Sequence, residues 1–180
     1  MKWEKISSKI VYQNKWLKVR EDSVIRPDGK RGIYGVVERS NANFIIALNE
    51  KREIYFIREY RYPVRKLILQ LPSGSTEKEE NDLEAAKKEL LEETGIQASK
   101  WEKLGSFYIG PGHETISANV FLATDLELPQ APFKNNTGEE DILETVRFSI
   151  DSLKKAISSN KIECGITLAA LNLFFTKTGI

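Results

Sequence analysis

Apolar and polar residues follow a strand-like pattern over the first third of the chain and then switch to a helical period. Residues 9–12, 16–20 and 33–37 are rich in β-branched and aromatic side chains and predict strands, with Pro27-Asp28-Gly29 as a turn before the third. Apolar runs at 44–48 and 54–57, split by Asn49-Glu50-Lys51, predict a hairpin, and 67–71 a short strand closed by Pro72-Ser73-Gly74. Over 80–94 the period changes: Leu83, Ala86 and Leu90 recur at helical spacing, and Gly95 supplies a stop. Strand character returns at 101–109 and 118–123, around a Gly110-Pro111-Gly112 loop. Residues 129–138 are polar and loop-like, 143–148 predict a strand, and 150–158 and 167–175 predict helices. Many strands with few helices in mixed order imply an α/β or α+β fold.

Composition narrows the functional classes. The chain has 180 residues, 41% hydrophobic and 29% charged, which is ordinary for a soluble globular domain with its own core. Lys and Arg number 27 against 26 Asp and Glu, a net charge of +1, so the basic surplus of a general nucleic-acid binder is missing. A local basic pocket for a phosphate-bearing ligand is still compatible with that balance. A single cysteine, Cys164, cannot form an internal disulfide; it suits a reducing cytoplasm and reads as a plain buried thiol. Nothing approaches the roughly 20 apolar residues of a membrane span, and Met1-Lys2-Trp3-Glu4-Lys5 is too charged for a signal peptide. The expectation is a cytoplasmic protein with neither membrane nor nucleic acid as partner.

Glu89, Glu92 and Glu93 stand at i, i+3 and i+4 of the central helix. At that spacing they share one arc of roughly 100°, beside the arc of Leu83 and Leu90 that faces the core. Like charges so placed repel by roughly 0.2–0.5 kcal/mol per pair. A divalent cation removes the repulsion, and hard oxygen donors suit Mg²⁺ or Mn²⁺. A solvated acidic face, partly neutralised by Lys87 and Lys88, is the commoner use of such a surface, so the helix alone does not decide.

The flanks of the helix do. Gly74, Glu80, Glu89, Leu90, Glu92, Glu93, Gly95 and Ile96 fall in a spacing that resembles the Nudix box, Gly-x5-Glu-x7-Arg-Glu-U-x-Glu-Glu-x-Gly-U, where U is a bulky apolar residue. Six fixed Gly or Glu matches, each at about 7% usage, arise by chance on the order of once in ten million windows. The resemblance implies an α/β/α sandwich with a mixed sheet, and cleavage of a nucleoside diphosphate linked to another moiety. Carried over, Glu89 and Glu93 become metal ligands together with the carbonyl of Ser73. Glu92 becomes a further ligand or a holder of metal-bound water, and Glu80 a structural partner for Lys88. The family's arginine is Lys88 here, a mobile point charge in place of a two-pronged grip.

Outside the box the chain resembles the ADP-ribose and nucleoside-diphosphate-sugar pyrophosphatase branch. The resemblance runs through Glu59-Tyr60-Arg61-Tyr62-Pro63, Leu71-Pro72-Ser73-Gly74, Pro111, Glu139-Glu140-Asp141-Ile142 and Gly165-Ile166-Thr167-Leu168-Ala169-Ala170. That branch implies an N-terminal antiparallel β region, residues 1–42, for dimerisation and base binding, followed by a catalytic domain over 43–180. Arg61 would bind a substrate phosphate, Trp16 and Tyr34 would sandwich the base with Arg39 beside them, and Pro111 would line the substrate site. Glu139, or failing it Glu140, would be the catalytic base. A homodimer with composite sites is expected. Relatives often carry an acidic residue where Ile116 stands, with His113 and Glu114 close by, which leaves the sugar open. The rival expectations are a ligand sensor on the same scaffold, and a Nudix enzyme acting on nucleoside triphosphates or dinucleotides.

Overall fold

The computed structural model describes residues 2–77, 79–130, 133 and 142–180. By their contacts they form two units, one reaching to Asn41 and including Phe107–Ser117, the other comprising Ala42–Ser106 and Ala118–Ile180. The sequence carries no signal that Phe107–Ser117 groups with the N-terminal strands.

In the first unit, β1 (Glu4–Gln13), β2 (Lys18–Ile25) and β3 (Arg31–Glu38) form an antiparallel sheet in the order β1-β2-β3. All ten residues of β1 are exposed, whereas β2 buries Asp22 and Val24. Between β1 and β2 the Asn14 side-chain oxygen accepts the N–H groups of Trp16 and Leu17, at 2.8 and 2.9 Å. This local capture of two donors ends β1 and keeps Trp16 in a bend, although 16–20 predicts a strand. The end of β3 is paired in turn: Val37 donates to the His113 carbonyl at 2.8 Å, and Thr115 donates to that of Val37 at 3.1 Å.

The second unit holds two sheets. One is antiparallel, β10 (Ile142–Ser149), β5 (Glu53–Arg61) and β6 (Lys66–Gln70) in that order. The other is mixed, in the order β7 (Ser73–Ser75), β4 (Ala42–Ala47), β9 (Ser117–Glu127), β8 (Gln97–Tyr108), with β4 parallel to β9 and antiparallel to β7. β5 extends four residues beyond its apolar run because its charges are partnered: Arg58 Nε lies 2.8 Å from Glu144, and Arg61 Nη1 2.8 Å from Glu59. β7 has no local strand signal at all and exists through its pairing with β4.

The helix that follows, α1 (Asp82–Thr94), starts two residues later than its apolar period suggests. Asn81 caps it by accepting the Glu84 N–H at 2.9 Å, and Gly95, at φ 70, closes it by donating to Leu91 at 2.8 Å. Ala86 and Leu90 pack with Ile45, Ala47, Tyr55, Ile96, Phe121 and Ala123, each large apolar side chain contributing roughly 1.5–3 kcal/mol. α2 (Ile150–Ser158) and α3 (Gly165–Thr178) complete the unit. Cys164 is half-buried at the N-cap of α3 rather than sealed in the core. The mixed α/β fold with an antiparallel N-terminal sheet agrees with the expectation from sequence. Among the described residues no helix is long and apolar enough to cross a membrane.

Candidate active site

The box residues meet where β7 runs beside α1. Glu93 is only 1% exposed, so the solvated-face reading fails for it. Burying a carboxylate costs several kcal/mol unless it is partnered. Its Oε2 accepts the Ser73 N–H at 2.8 Å. Half-buried Glu89 lies over Gly74, where a Cβ would fall 1.8 Å from its Oε1. Any side chain at 74 would therefore displace this carboxylate, which gives the motif glycine its physical reason. Glu92 is half-buried on the same helix. Among the described residues no three acidic, His or Cys side chains are gathered as one metal set. What converges is two carboxylates on one backbone segment. All these donors are hard oxygens, so the residues fit a hard divalent cation.

Lys88 does not pair with Glu80. Its Nζ lies 3.0 Å from Glu77 Oε1, while Glu80 accepts the Glu77 N–H at 3.1 Å. A flexible ammonium reaches the Glu77 carboxylate, so Glu80 acts on Lys88 only as a nearby charge. The hydrogen bond to Glu77 is the main cause that holds the Lys88 pKa above its ordinary value, with Glu92 and Glu80 adding to it.

Arg61, at the end of β5, is braced rather than loose. Its Nε donates to Gln70 Oε1 at 3.1 Å, its Nη1 lies 2.8 Å from Glu59 Oε1, and Gln70 donates in turn to Glu59 Oε2 at 2.9 Å. Glu59 and Gln70 are buried, so the guanidinium is held from behind. The sequence points to Arg61 but assigns no role to either brace, and Glu59 enters it only as the first residue of the Glu59-Tyr60-Arg61-Tyr62-Pro63 resemblance.

In the first unit a cavity of about 390 Å³ is lined by Trp3, Tyr34, Arg20, Asp22, Pro111 and His113, among others. Tyr34 meets the Trp3 ring edge-on at 5.2 Å and donates from its hydroxyl to the Gly112 carbonyl at 2.6 Å. Trp16 is not part of that lining: it is 67% exposed, with the Lys15 ammonium 4.3 Å from its ring centre. Arg39 follows β3 in an exposed segment. Arg20 pairs with Asp22 and, at 2.6 Å, with Glu38, which Lys18 also contacts. Arg20 first, then Ser8, holds the Asp22 carboxyl below its usual range; Lys18 first, then Arg20, does the same for Glu38. Ile116 is only 2% exposed, so an acid there would be buried; the apolar residue suits its site. Trp3, Arg20 and Asp22 had no motif to flag them. The two candidate bases, Glu139 and Glu140, lie outside the described residues.

Comparisons with known proteins bear on the family and the fold. Residues 3–37 match the model of the nucleoside diphosphate sugar hydrolase N-terminal domain, and residues 38–163 that of the NUDIX domain. The ADP-ribose pyrophosphatase of Bacillus subtilis is 26% identical over 175 residues, covering 97% of this chain and 94% of that protein. The ADP-ribose pyrophosphatase of Mycobacterium tuberculosis is 34% identical over 126 residues, 69% of this chain and 60% of that protein. The crystal structure of an ADP compounds hydrolase superposes with a TM-score of 0.81 at 20% identity, over 97% of this chain and 92% of that one. Hydrolases of the matched type generally depend on a divalent metal. With a NUDIX match over more than half its length, and a buried carboxylate helix clasping the Ser73-Gly74 segment, the chain belongs to the Nudix hydrolase family.

Proposed function

We propose that the protein hydrolyses the diphosphate bond of ADP-ribose or a related nucleoside diphosphate sugar, releasing a nucleoside monophosphate and a sugar phosphate. The observation that carries this is the contact of Glu93 with Ser73 and of Glu89 with Gly74 on one backbone segment. The named activity of the two relatives supports the substrate class.

Glu89, Glu93 and the Ser73 carbonyl would hold Mg²⁺, or Mn²⁺ in its place, with Glu92 as a further ligand or the holder of a water. When bound, such an ion polarises the phosphoryl oxygens and lowers the pKa of a water. Arg61, held by Glu59 and Gln70, offers a fixed cation to a substrate phosphate. Glu139, with Glu140 as second choice, would take the proton of the attacking water. Residues 43–180 then supply the chemistry.

Residues 1–42 supply base binding and dimerisation in this reading. Tyr34, Trp16, Arg39 and Pro111 remain the proposed substrate contacts, with Trp3 beside Tyr34 as an added candidate ring. The homodimer is supported by β1. It is an edge strand exposed along its whole length, and its apolar side chains Ile6, Ile10 and Val11 are each more than half exposed. A second copy would cover such a strand. We place the protein in the cytoplasm, which its single cysteine suits.

The test is sugar-phosphate and nucleotide release from ADP-ribose, ADP-glucose, GDP-mannose, UDP-glucose and NADH with Mg²⁺ or Mn²⁺, each with and without EDTA. ADP-ribose is expected to give AMP and ribose 5-phosphate, and EDTA to stop it. Failure of every substrate would remove the reading.

A further inference from the structure

A second polar system reaches the Ser73-Gly74 segment from behind. Asn43, on β4, is fully buried, and its register partners are Gly74 on β7 and Asn119 on β9. Asn119, 3% exposed, donates from its Nδ2 to Asn43 Oδ1 at 3.1 Å. Asn43 Nδ2 donates to Thr76 Oγ1 at 3.0 Å, and Thr76 donates to Asp82 Oδ1 at 2.8 Å. Lys103 Nζ stands 3.6 Å from the other Asp82 oxygen. The relay thus joins two sheet strands, the loop after β7 and the first turn of α1.

The direction of every proton in this relay is set at one end. An ionised carboxylate only accepts, so Thr76 must donate to Asp82. The Thr76 oxygen is then open to accept, which requires the NH₂ face of Asn43. That leaves the Asn43 carbonyl toward Asn119, where only an NH₂ face fits. A chain of donors aligned in one sense is strengthened along its length and tolerates one geometry. Asp82 also lies in the first turn of α1, where a negative charge is favourable. Two amides in the middle of a sheet would be costly if unsatisfied. Apolar residues would pack there without that risk. What the amides add is a fixed position for Thr76, just after β7.

We infer that the Asn119–Asn43–Thr76–Asp82 relay is a positioning device, holding the Ser73-Gly74 segment against the helix that carries Glu89 and Glu93, so that this set binds its divalent cation. The inference rests on the metal reading of those residues. Asn43, Thr76 and Asp82 are positioning residues that touch neither substrate nor metal. Losing a group hydrogen-bonded directly to a metal ligand typically costs about 10–100-fold in metal affinity, and the relay, one step behind the ligands, belongs at the lower end of that range.

The experiment counts free Mn²⁺ by electron paramagnetic resonance against the wild type and the Thr76→Val, Thr76→Ser and Glu93→Gln variants, without substrate. Thr76→Val keeps the shape and removes the hydroxyl. Its apparent Mn²⁺ Kd is expected to rise about tenfold or more, and Thr76→Ser to restore wild-type binding. In steady state Thr76→Val should need more metal for half-maximal activity, with the KM for ADP-ribose unchanged at saturating metal. If Glu93→Gln weakens Mn²⁺ binding but Thr76→Val does not, the inference is overturned and the metal reading stands. Equal weakening by Val and Ser also overturns it, since packing and not the hydroxyl would then matter. If Glu93→Gln binds Mn²⁺ like the wild type, the metal reading falls and the inference with it. Should Thr76→Val not fold, Asp82→Asn removes the charge that orients the relay and carries the same expectation.

Discussion

β1 and β4 are both strands with apolar side chains, yet one lies open to solvent along its whole length and the other is buried at five of its six positions. β1 has a neighbour on one side only. β4 has β9 on one side and β7 on the other, and both α1 and α3 pack on it. Apolar side chains on a strand therefore serve two ends. Where helices cover a strand, its side chains become a rigid core, and the carboxylate helix is fixed against that core. Where none of the described residues covers it, the apolar side chains stand exposed, and the partner proposed for them is a second copy. The carboxylates proposed to hold the metal sit on α1, the helix packed on the covered strand, which suits ligands that must be held precisely.

The comparison is broken most sharply by truncating one side chain on each strand. Ile45→Ala should cost roughly 2–5 kcal/mol of stability in denaturant unfolding, because it opens a void in a sealed core. Ile10→Ala should leave the unfolding of the isolated protomer within about 0.5 kcal/mol and instead weaken self-association in sedimentation. Equal losses of stability from the two variants would contradict the distinction.

Gly74→Ala tests whether the covered region also sets the chemistry. The new methyl group must push the Glu89 carboxylate aside. A cooperative melt should be kept while turnover of ADP-ribose falls by at least about tenfold, a barrier change of roughly 1.4 kcal/mol. Unchanged turnover would mean that the Glu89–Gly74 contact has no part in catalysis.

Acid should separate the two regions by a smaller margin. Folding lowers the pKa of Asp22 and of Glu38, so their contribution to stability is complete above the ordinary values of 3.8 and 4.5. It is lost as the pH falls through the depressed folded values below them. Hydrogen exchange at pH 3 should therefore show β2 and β3 losing protection relative to pH 7 before β4 does. Simultaneous loss would assign acid sensitivity elsewhere.

The smallest effect is expected at Lys88. Arginine there can grip the Glu77 carboxylate at two points where lysine makes one contact. Lys88→Arg should keep or modestly raise kcat, and a fall would show that the lysine is suited to its place.

Much of this was legible in the sequence wherever the signal is local. The helix over 150–158 lies where its apolar period puts it, started by Ser149, whose side chain accepts the Ser152 N–H. The glutamate spacing likewise pointed to the clasped segment. Features made by distant pairing were not legible. β7 has no strand signal of its own because it forms on a distant partner, Phe44 pairing with Ser73 at the nearest register pair. The Trp3–Tyr34 contact and the Glu59–Gln70 brace of Arg61 depend on residues brought together only by folding. The polar relay behind Gly74 joins positions 43, 76, 82 and 119, which no window of sequence contains.

Glu93, buried beside Ser73, is the proposed ligand of the divalent cation on which diphosphate cleavage would depend. AMP release from ADP-ribose in saturating Mg²⁺, compared between the wild type and Glu93→Gln, measures that role. This near-isosteric change is expected to keep a cooperative melt and to lower kcat by on the order of 10²–10³, the scale on which single electrostatic catalytic groups act. Wild-type turnover in the variant would contradict that role.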